Sequence, residues 1–162
     1  MRVLGFDPGT ATTGYGVVEG QGNRLTHIAH GTIDTPANQF FALRLKTIFA
    51  EATELLADFK PDMVAIERLY FKQNVTTGIS VAQARGVLAL AAVQADLPIA
   101  EFSPTEAKSA VTGYGKADKR QVQEMIKILL NLDALPRPDD AADALALAIC
   151  GVHTGIPLEH DG

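Results

Sequence analysis

The sequence predicts an α/β fold in which a mixed five-stranded sheet carries helices on both faces. Near the N-terminus, three short extended segments follow one another, separated by glycine-rich turns, which is typical of antiparallel strands joined by hairpins. After residue 38 the apolar positions fall at three- and four-residue steps, and helical segments then alternate with two short apolar runs. That alternation indicates parallel βαβ units. With 162 residues, 47% of them hydrophobic, the chain is long enough to bury one core.

The N-terminal part supplies the three hairpin-linked strands. The first, Arg2–Asp7, is an apolar run closed by the turn-forming sequence Asp-Pro-Gly. Residues 14–19 and 24–35 are the second and third strands, and residues 20–23 (Gly-Gln-Gly-Asn) are a hairpin connection.

The first two helices and the last two strands follow. An apolar stripe predicts a helix at 38–59, which Pro61 ends. Residues 62–66 form a short buried strand leading into Glu67, and residues 98–102 form another. Between them, residues 77–94 are rich in alanine and leucine and predict a long, well-buried helix.

Three further helices complete the chain. Residues 104–111 begin after Ser103, a good N-cap, and residues 118–131 follow an exposed glycine-rich linker. Prolines at 136 and 138 break the chain before the last helix at 140–152, for which Asp139 is the expected N-cap. We expect residues 1–153 to form one domain and residues 154–162 to form a mobile tail.

Charge and cysteine content limit the possible environment and partners. The net charge is −5, but residues 68–127 carry +3 and the remainder carries −8. A local basic surface can bind phosphates, although solvated helix faces give the same count. The single Cys150 fits a reducing compartment. No uncharged apolar run reaches the length of a signal peptide or a membrane span, so we expect a cytoplasmic protein.

Four acidic residues are the candidate functional site. Asp7 ends the first strand, Glu67 follows the fourth, and Asp140 and Asp143 share one face of the last helix. The carboxyl ends of neighbouring parallel strands meet at one edge of a sheet, so the four carboxylates are expected to converge. Each has an ordinary explanation alone, as a turn former, a surface ion pair or a helix-start acid. Together they favour a site for a hard divalent cation such as Mg²⁺ or Mn²⁺.

Several spaced motifs resemble the RuvC family of crossover junction endodeoxyribonucleases, which are Holliday-junction resolvases with a ribonuclease H-like fold. The similarity extends from residue 1 to about residue 153. The segments that carry it are residues 4–9 (LGFDPG), 13–16 (TGYG), 65–67 (AIE), 83–87 (QARGV), 104–123 (PTEAKSAVTGYGKADKRQVQ) and 140–146 (DAADALA).

The resemblance assigns roles that the residues alone do not. It implies that Asp7, Glu67, Asp140 and Asp143 are catalytic and bind two Mg²⁺ ions, for which Mn²⁺ substitutes. It implies a homodimer that cuts four-way DNA junctions alongside RuvA and RuvB, leaving 5′-phosphate and 3′-hydroxyl ends. It also places conserved lysines at Lys108 and Lys119 and a junction-contacting aromatic at Tyr70 or the adjacent Phe71. The full expected DNA-binding set is Tyr70, Phe71, Lys72, Arg85, Lys108, Lys116, Lys119 and Arg120.

Two functions of other classes stay open at this stage. The turn at residues 7–10 (Asp-Pro-Gly-Thr) is similar to the first phosphate loop of the actin- and hexokinase-like ATPases. Those proteins need a second domain unit and a second phosphate loop, which this sequence lacks. The other alternative is a non-catalytic junction-binding module, which gains nothing from placing acids against a polyanion.

Overall fold

The computed structural model describes residues 1–69 and 75–158 and has the predicted mixed sheet. Its strands are β1 (Arg2–Asp7), β2 (Thr12–Gln21), β3 (Arg24–Asp34), β4 (Met63–Glu67) and β5 (Ile99–Phe102). The order across the sheet is β3-β2-β1-β4-β5. Strands β1, β2 and β3 pair antiparallel, whereas β4 is parallel to both β1 and β5. The prediction of fold class is confirmed.

Helices cover both faces of the sheet. They are α1 (Phe41–Phe59), α2 (Val75–Gln94), α3 (Pro104–Thr112), α4 (Lys119–Leu129) and α5 (Asp139–Thr154). One core cluster joins the sheet to α1 and α2 through residues such as Phe6, Ile48 and Leu88. The opposite cluster joins it to α3, α4 and α5 through residues such as Val3, Ile126 and Leu147. Helix α5 is buried along most of its length because it lies between the sheet and its neighbouring helices.

Most predicted elements are present, with changed ends. Strand β2 is longer than predicted because its ladder with β3 runs from Thr12 to Gln21. Ser103 is the N-cap of α3 as predicted, and the Glu106 side chain completes a capping box with it. The predicted cap at Asp139 is wrong. Pro138 occupies the N-cap position, and Asp139 is the first residue of α5.

The prediction that the second helix is well buried is also wrong. Ala84, Leu88 and Ala91 face the core, but Ile79, Leu90 and Val93 are exposed. The helix is apolar on both its buried side and its exposed side, so its composition alone did not distinguish the two sides. Within the described ranges, Thr76–Gln94 also passes a length-and-composition test for a membrane-spanning helix, which core helices of soluble proteins pass as well.

Candidate active site

Two adjacent parallel strands bring the first pair of acids together. Asp7 is the last residue of β1 and Glu67 is the last residue of β4. The register pairs Phe6 with Ile66, so the two acids leave the sheet side by side at its carboxyl edge. Their side chains are joined by a hydrogen bond. Because both carboxyls are half-buried, one proton shared between them is stabilised in the absence of a cation.

Helix α5 brings the other two acids to the same place. It lies directly on β1 and β2, and glycines in those strands make the close approach possible. A Cβ atom at Gly14 would overlap the Asp140 backbone carbonyl, and one at Gly5 would lie 2.9 Å from the Ala148 backbone nitrogen. Since Gly14 pairs with Asp7 across the β1–β2 ladder, the first turn of α5 is set beside Asp7.

The pKa values of the acids reflect this convergence. Burial and, to a smaller extent, the negative charges of Glu67, Asp143 and Asp140 together raise the pKa of Asp7 to about 9. Burial likewise raises the pKa of Glu67 and of Asp143, with partial compensation at both from the nearby Lys108. A cluster of this kind stays partly protonated until a positive charge offsets the mutual repulsion.

The donor chemistry of the cluster fits a hard divalent cation. All four side chains offer carboxylate oxygens, which are the ligands that Mg²⁺ and Mn²⁺ prefer. In residues 1–69 and 75–158, no three His, Cys, Asp or Glu side chains already surround a common point at ligand distance. Asp7 and Glu67 instead bond to each other, so cation binding has to replace the proton that they share.

A cleft of about 210 Å³ opens beside the acids, between the end of β4 and helices α3, α4 and α5. It is lined by Glu67, Pro104, Ala107, Lys108, Lys119, Val122, Gln123, Asp143, Ala146 and Leu147. The structure therefore places two predicted basic residues, Lys108 and Lys119, at the same cleft as two of the acids. Basic and acidic side chains therefore line the same cleft.

Asp139 holds Lys119 at the rim of this cleft. The Lys119 Nζ lies 2.9 Å from one carboxylate oxygen of Asp139, and the Gln123 amide donates to the other at 2.9 Å. The Lys119 ammonium group thereby lowers the pKa of Asp139. Both side chains of the ion pair are exposed, so the pair is weak and exchangeable.

The structure does not bring the other predicted basic residues to the cleft. Arg85 pairs with Glu101, and its Nε lies 3.4 Å from the Glu67 carbonyl oxygen, which supports the end of β4. Lys116 is exposed on the linker before α4, and Arg120 pairs with Glu124 one turn along α4. The predicted contacts at Tyr70, Phe71 and Lys72 lie outside the described residues.

Sequence reasoning missed the residues that shape the site without carrying charge. Gly5 and Gly14 allow α5 to approach the sheet closely. The available signal was the alternation of Gly14 and Gly16 in β2, with Gly5 opposite Gly16 on β1. Thr10, Thr13 and Thr35 hold the turn after Asp7. No sequence pattern identified those hydroxyl contacts, because two of them join residues 25 and 70 positions apart.

Comparison with known proteins establishes the family. The family model described as crossover junction endodeoxyribonuclease RuvC matches residues 3–151. The chain belongs to the RuvC family. A relative named crossover junction endodeoxyribonuclease RuvC from Heliobacterium modesticaldum is 52% identical over 154 residues, which cover 95% of each chain. Another of that name, from Rubrobacter xylanophilus, is 54% identical over 148 residues, covering 91% of this chain and 83% of the relative.

The fold agrees with this RuvC assignment. A solved structure of Thermus thermophilus RuvC in complex with a Holliday junction substrate superimposes with a TM-score of 0.88 at 32% identity. The superposition covers 93% of this chain and 92% of that chain. The resemblance inferred from the sequence motifs, including the ribonuclease H-like fold, is therefore confirmed over almost the whole length.

Proposed function

We propose that this RuvC-family chain is a metal-dependent endonuclease that resolves four-way DNA junctions by symmetric paired nicks. The observation that carries the proposal is the convergence of four carboxylates from β1, β4 and α5 beside a cleft rimmed by Lys108 and Lys119. RuvC membership over residues 3–151 supplies the substrate class. The expected products carry 5′-phosphate and 3′-hydroxyl ends.

Asp7, Glu67, Asp140 and Asp143 would hold the divalent cations of this reaction. We infer Mg²⁺, two per site, with Mn²⁺ as a substitute. Bound cations would supply Lewis-acid stabilisation of the scissile phosphate and would lower the pKa of the attacking water. The chain itself contributes fixed backbone positions for the carboxylates, since α5 and the two strand ends are held by backbone packing before any ligand binds.

The two lysines that line the cleft are proposed to bind the phosphate group of the substrate. Lys108 and Lys119 offset negative charge that develops during phosphodiester cleavage. Lys119 exchanges its Asp139 partner for a DNA phosphate, which is feasible because both side chains are exposed. Lys116 on the linker and Arg120 at the start of α4 are proposed to add positive charge near the cleft, and Arg85 contributes through its position next to Glu67. Tyr70, Phe71 and Lys72 are proposed to contact the junction.

The assembly and location belong to the same proposal. Symmetric cutting requires two active sites related by a twofold axis, so the chain is proposed to act as a homodimer. It would cooperate with RuvA and RuvB in the cytoplasm. Residues 1–153 would form the nuclease domain, and residues 154–162 would form a tail outside it.

A synthetic four-way junction labelled on each strand tests this function. With Mg²⁺, the wild-type protein is expected to nick two opposed strands at symmetric positions, and without Mg²⁺ it is expected to bind without cutting. Asp7→Asn and Glu67→Gln should each slow cutting by about 100-fold or more, since removing even outer partners of metal ligands costs 10–100-fold. Both variants should retain junction affinity. Asp58→Asn, an exposed change on α1, is the matched control.

Normal cutting by Asp7→Asn or Glu67→Gln would refute the site assignment. Binding of the junction without cutting under any divalent ion would instead indicate a non-catalytic junction-binding module. ATP turnover by the isolated chain would favour the ATPase alternative.

A further inference from the structure

The turn that follows Asp7 is surrounded by buried hydroxyl groups. Among the residues that the structure describes, the buried polar side chains are Thr10, Thr13 and Thr35. All three form hydrogen bonds to or from the turn at residues 8–11. A buried hydroxyl group is costly unless it is hydrogen-bonded. The concentration of three such groups around one four-residue turn therefore indicates that the conformation of the turn is fixed.

Thr13 holds the turn from within. Its Oγ1 donates a hydrogen bond to the Gly9 carbonyl oxygen at 2.6 Å and accepts one from the Gly9 N–H at 3.4 Å. These bonds close the turn on itself. They do not connect it to any helix.

Thr35 and Thr10 attach the turn to the surrounding elements. The Thr35 Oγ1 donates to the Thr10 carbonyl oxygen at 2.6 Å, and the Thr35 N–H donates to the Ala11 carbonyl oxygen at 3.0 Å. The Thr10 Oγ1 in turn donates to the Ser80 carbonyl oxygen of α2 at 3.1 Å. The turn is therefore fixed on one side by the residue after β3 and on the other side by α2.

Arg44 completes the connection from α1. Its Nε donates to the Thr35 Oγ1 at 2.9 Å, so that hydroxyl group is both a donor and an acceptor and its rotation is fixed. The resulting chain of Arg44, Thr35, Thr10 and Ser80 is called the threonine relay below. It joins α1 to α2 through the backbone of the turn, three residues beyond Asp7.

We propose that the threonine relay positions Asp7 for cation binding and strand cleavage and ties that position to α2. The inference rests on the proposed nuclease function. Thr10 and Thr35 are positioning residues, since neither hydroxyl touches the carboxylates and each acts through the turn that carries Asp7. Helix α2 begins immediately after residues 70–74, which include the proposed junction-contacting aromatics. The Thr10 hydroxyl group thus links the position of α2 to the turn that carries Asp7.

Valine and serine substitutions separate the hydroxyl group from the shape of the side chain. Thr10→Val and Thr35→Val keep the size and remove the hydroxyl, whereas Thr10→Ser and Thr35→Ser retain it. Misplacing a reacting group by about 1 Å costs on the order of 100-fold in rate. Each valine variant is expected to lower the single-turnover cutting rate at saturating junction by about 10–100-fold, and each serine variant is expected to stay within about threefold of wild type.

Direct binding of Mn²⁺, measured by electron paramagnetic resonance without DNA, provides a readout independent of cutting. We expect Thr10→Val and Thr35→Val to weaken Mn²⁺ binding by about tenfold, as loss of a second-sphere partner does elsewhere. Junction affinity should change by less than about threefold, because the phosphate-binding lysines are untouched. Thr32→Val removes another threonine hydrogen bond on β3, to Asp34, and serves as the control that changes neither readout.

Several outcomes would overturn the relay. One is wild-type cutting and Mn²⁺ affinity in both valine variants, and another is equal losses in the valine and serine variants. If Thr10→Val does not fold, Thr35→Val decides alone. In the double variant the loss should be close to that of one single variant, and multiplied losses would show that the two hydroxyl groups act separately. Absence of cutting by the wild-type protein would refute the proposed function instead, so the two failures are distinguishable.

Discussion

At the scale of single residues, the environment of Asp7 determines the behaviour of the site. The carboxyl is half-buried, it is hydrogen-bonded to Glu67, and it faces the charges of Asp143 and Asp140. These surroundings favour the protonated form, which cannot serve as a full cation ligand. Cation binding must therefore release protons, and the affinity for Mg²⁺ or Mn²⁺ should increase with pH.

The stability of the metal-free protein should depend on pH through Asp7. Its pKa is about 9 in the folded protein against 3.8 ordinarily, so between these values the folded state keeps a proton that the unfolded state releases. The contribution of Asp7 to stability is then fully present below about pH 4 and is lost as the pH rises towards 9. We expect Asp7→Asn to remove this dependence and to stabilise the metal-free protein at pH 8 by about 1–2 kcal/mol.

Urea denaturation in a chelator at several pH values measures this effect as the difference between wild type and Asp7→Asn. Subtracting the two curves cancels the groups that both proteins share. Parallel curves would contradict the prediction. Adding millimolar Mn²⁺ at pH 8 should raise the stability of wild type more than that of the variant.

The sequence predicted the four acids of the site but not the ion pair between Asp139 and Lys119 beside them. Asp7 and Glu67 could be placed together because strand ends follow from apolar runs and parallel neighbours share an edge. The role of Asp139 could not be predicted, because its partner Lys119 lies 20 residues away and reaches it only through the packing of α4 on α5. From the sequence alone, an acidic residue directly after Pro138 is equally consistent with a helix N-cap at Asp139.

At the scale of elements, the contact of α5 with β1 and β2 sets the geometry of the site. The contact is made through backbone, since the strands present glycine where the helix crosses. The chain order and the helix–strand alternation were predictable from hydrophobic periodicity. The closeness of this crossing was not, because alternating glycines also occur in strands that face no helix.

Gly14→Ala tests whether the crossing controls the site. The added methyl group would overlap the Asp140 carbonyl and lie 2.9 Å from the Ala141 nitrogen, and backbone atoms cannot rotate away. We expect a loss of about 1–3 kcal/mol in the free energy of unfolding, typical of overpacking. We also expect cutting to be at least about tenfold slower, because Asp140 moves relative to Asp7.

Chemical denaturation and the junction assay measure the two effects of Gly14→Ala. Gly86→Ala adds the same methyl group at a position where no side chain or neighbouring element among the described residues lies within 4 Å, and it should not reduce stability. This control is compared on stability alone, because Gly86 lies on the exposed side of α2. An unchanged stability of Gly14→Ala would show that α5 can shift without cost.

At the scale of the whole molecule, the exposed side of α2 offers a surface for a second copy. Ile79, Leu90 and Val93 are 52%, 50% and 59% exposed. With Gly86 they follow one another at steps of seven, four and three residues, which places them on one stripe of the helix. Exposed apolar stripes of this kind mark interaction sites. In the proposed homodimer, a second copy packed on this stripe would supply the burial that the sequence predicts for α2.

Leu90→Glu should therefore convert the proposed dimer into a monomer. The introduced carboxylate lies in the middle of the apolar stripe, and burying it unpaired against a partner costs several kcal/mol. The α2 side chains that face the core, including Leu88 and Ala91, are unaffected, so the fold and Mn²⁺ binding should persist. Junction cutting should fall, and the remaining nicks should occur in one strand at a time, because a monomer has no second active site related to the first by a twofold axis.

Sedimentation velocity and a cruciform plasmid substrate measure these two effects together. Coupled nicks within the lifetime of one complex give linear plasmid, whereas independent nicks give open circles. Ile128→Glu places the same charge on another apolar side chain, 71% exposed on α4, and should leave both mass and coupled cutting unchanged. A dimeric Leu90→Glu protein with coupled nicks would exclude the α2 stripe as the interface. Disruption of the dimer by Ile128→Glu would point to α4 as the interface.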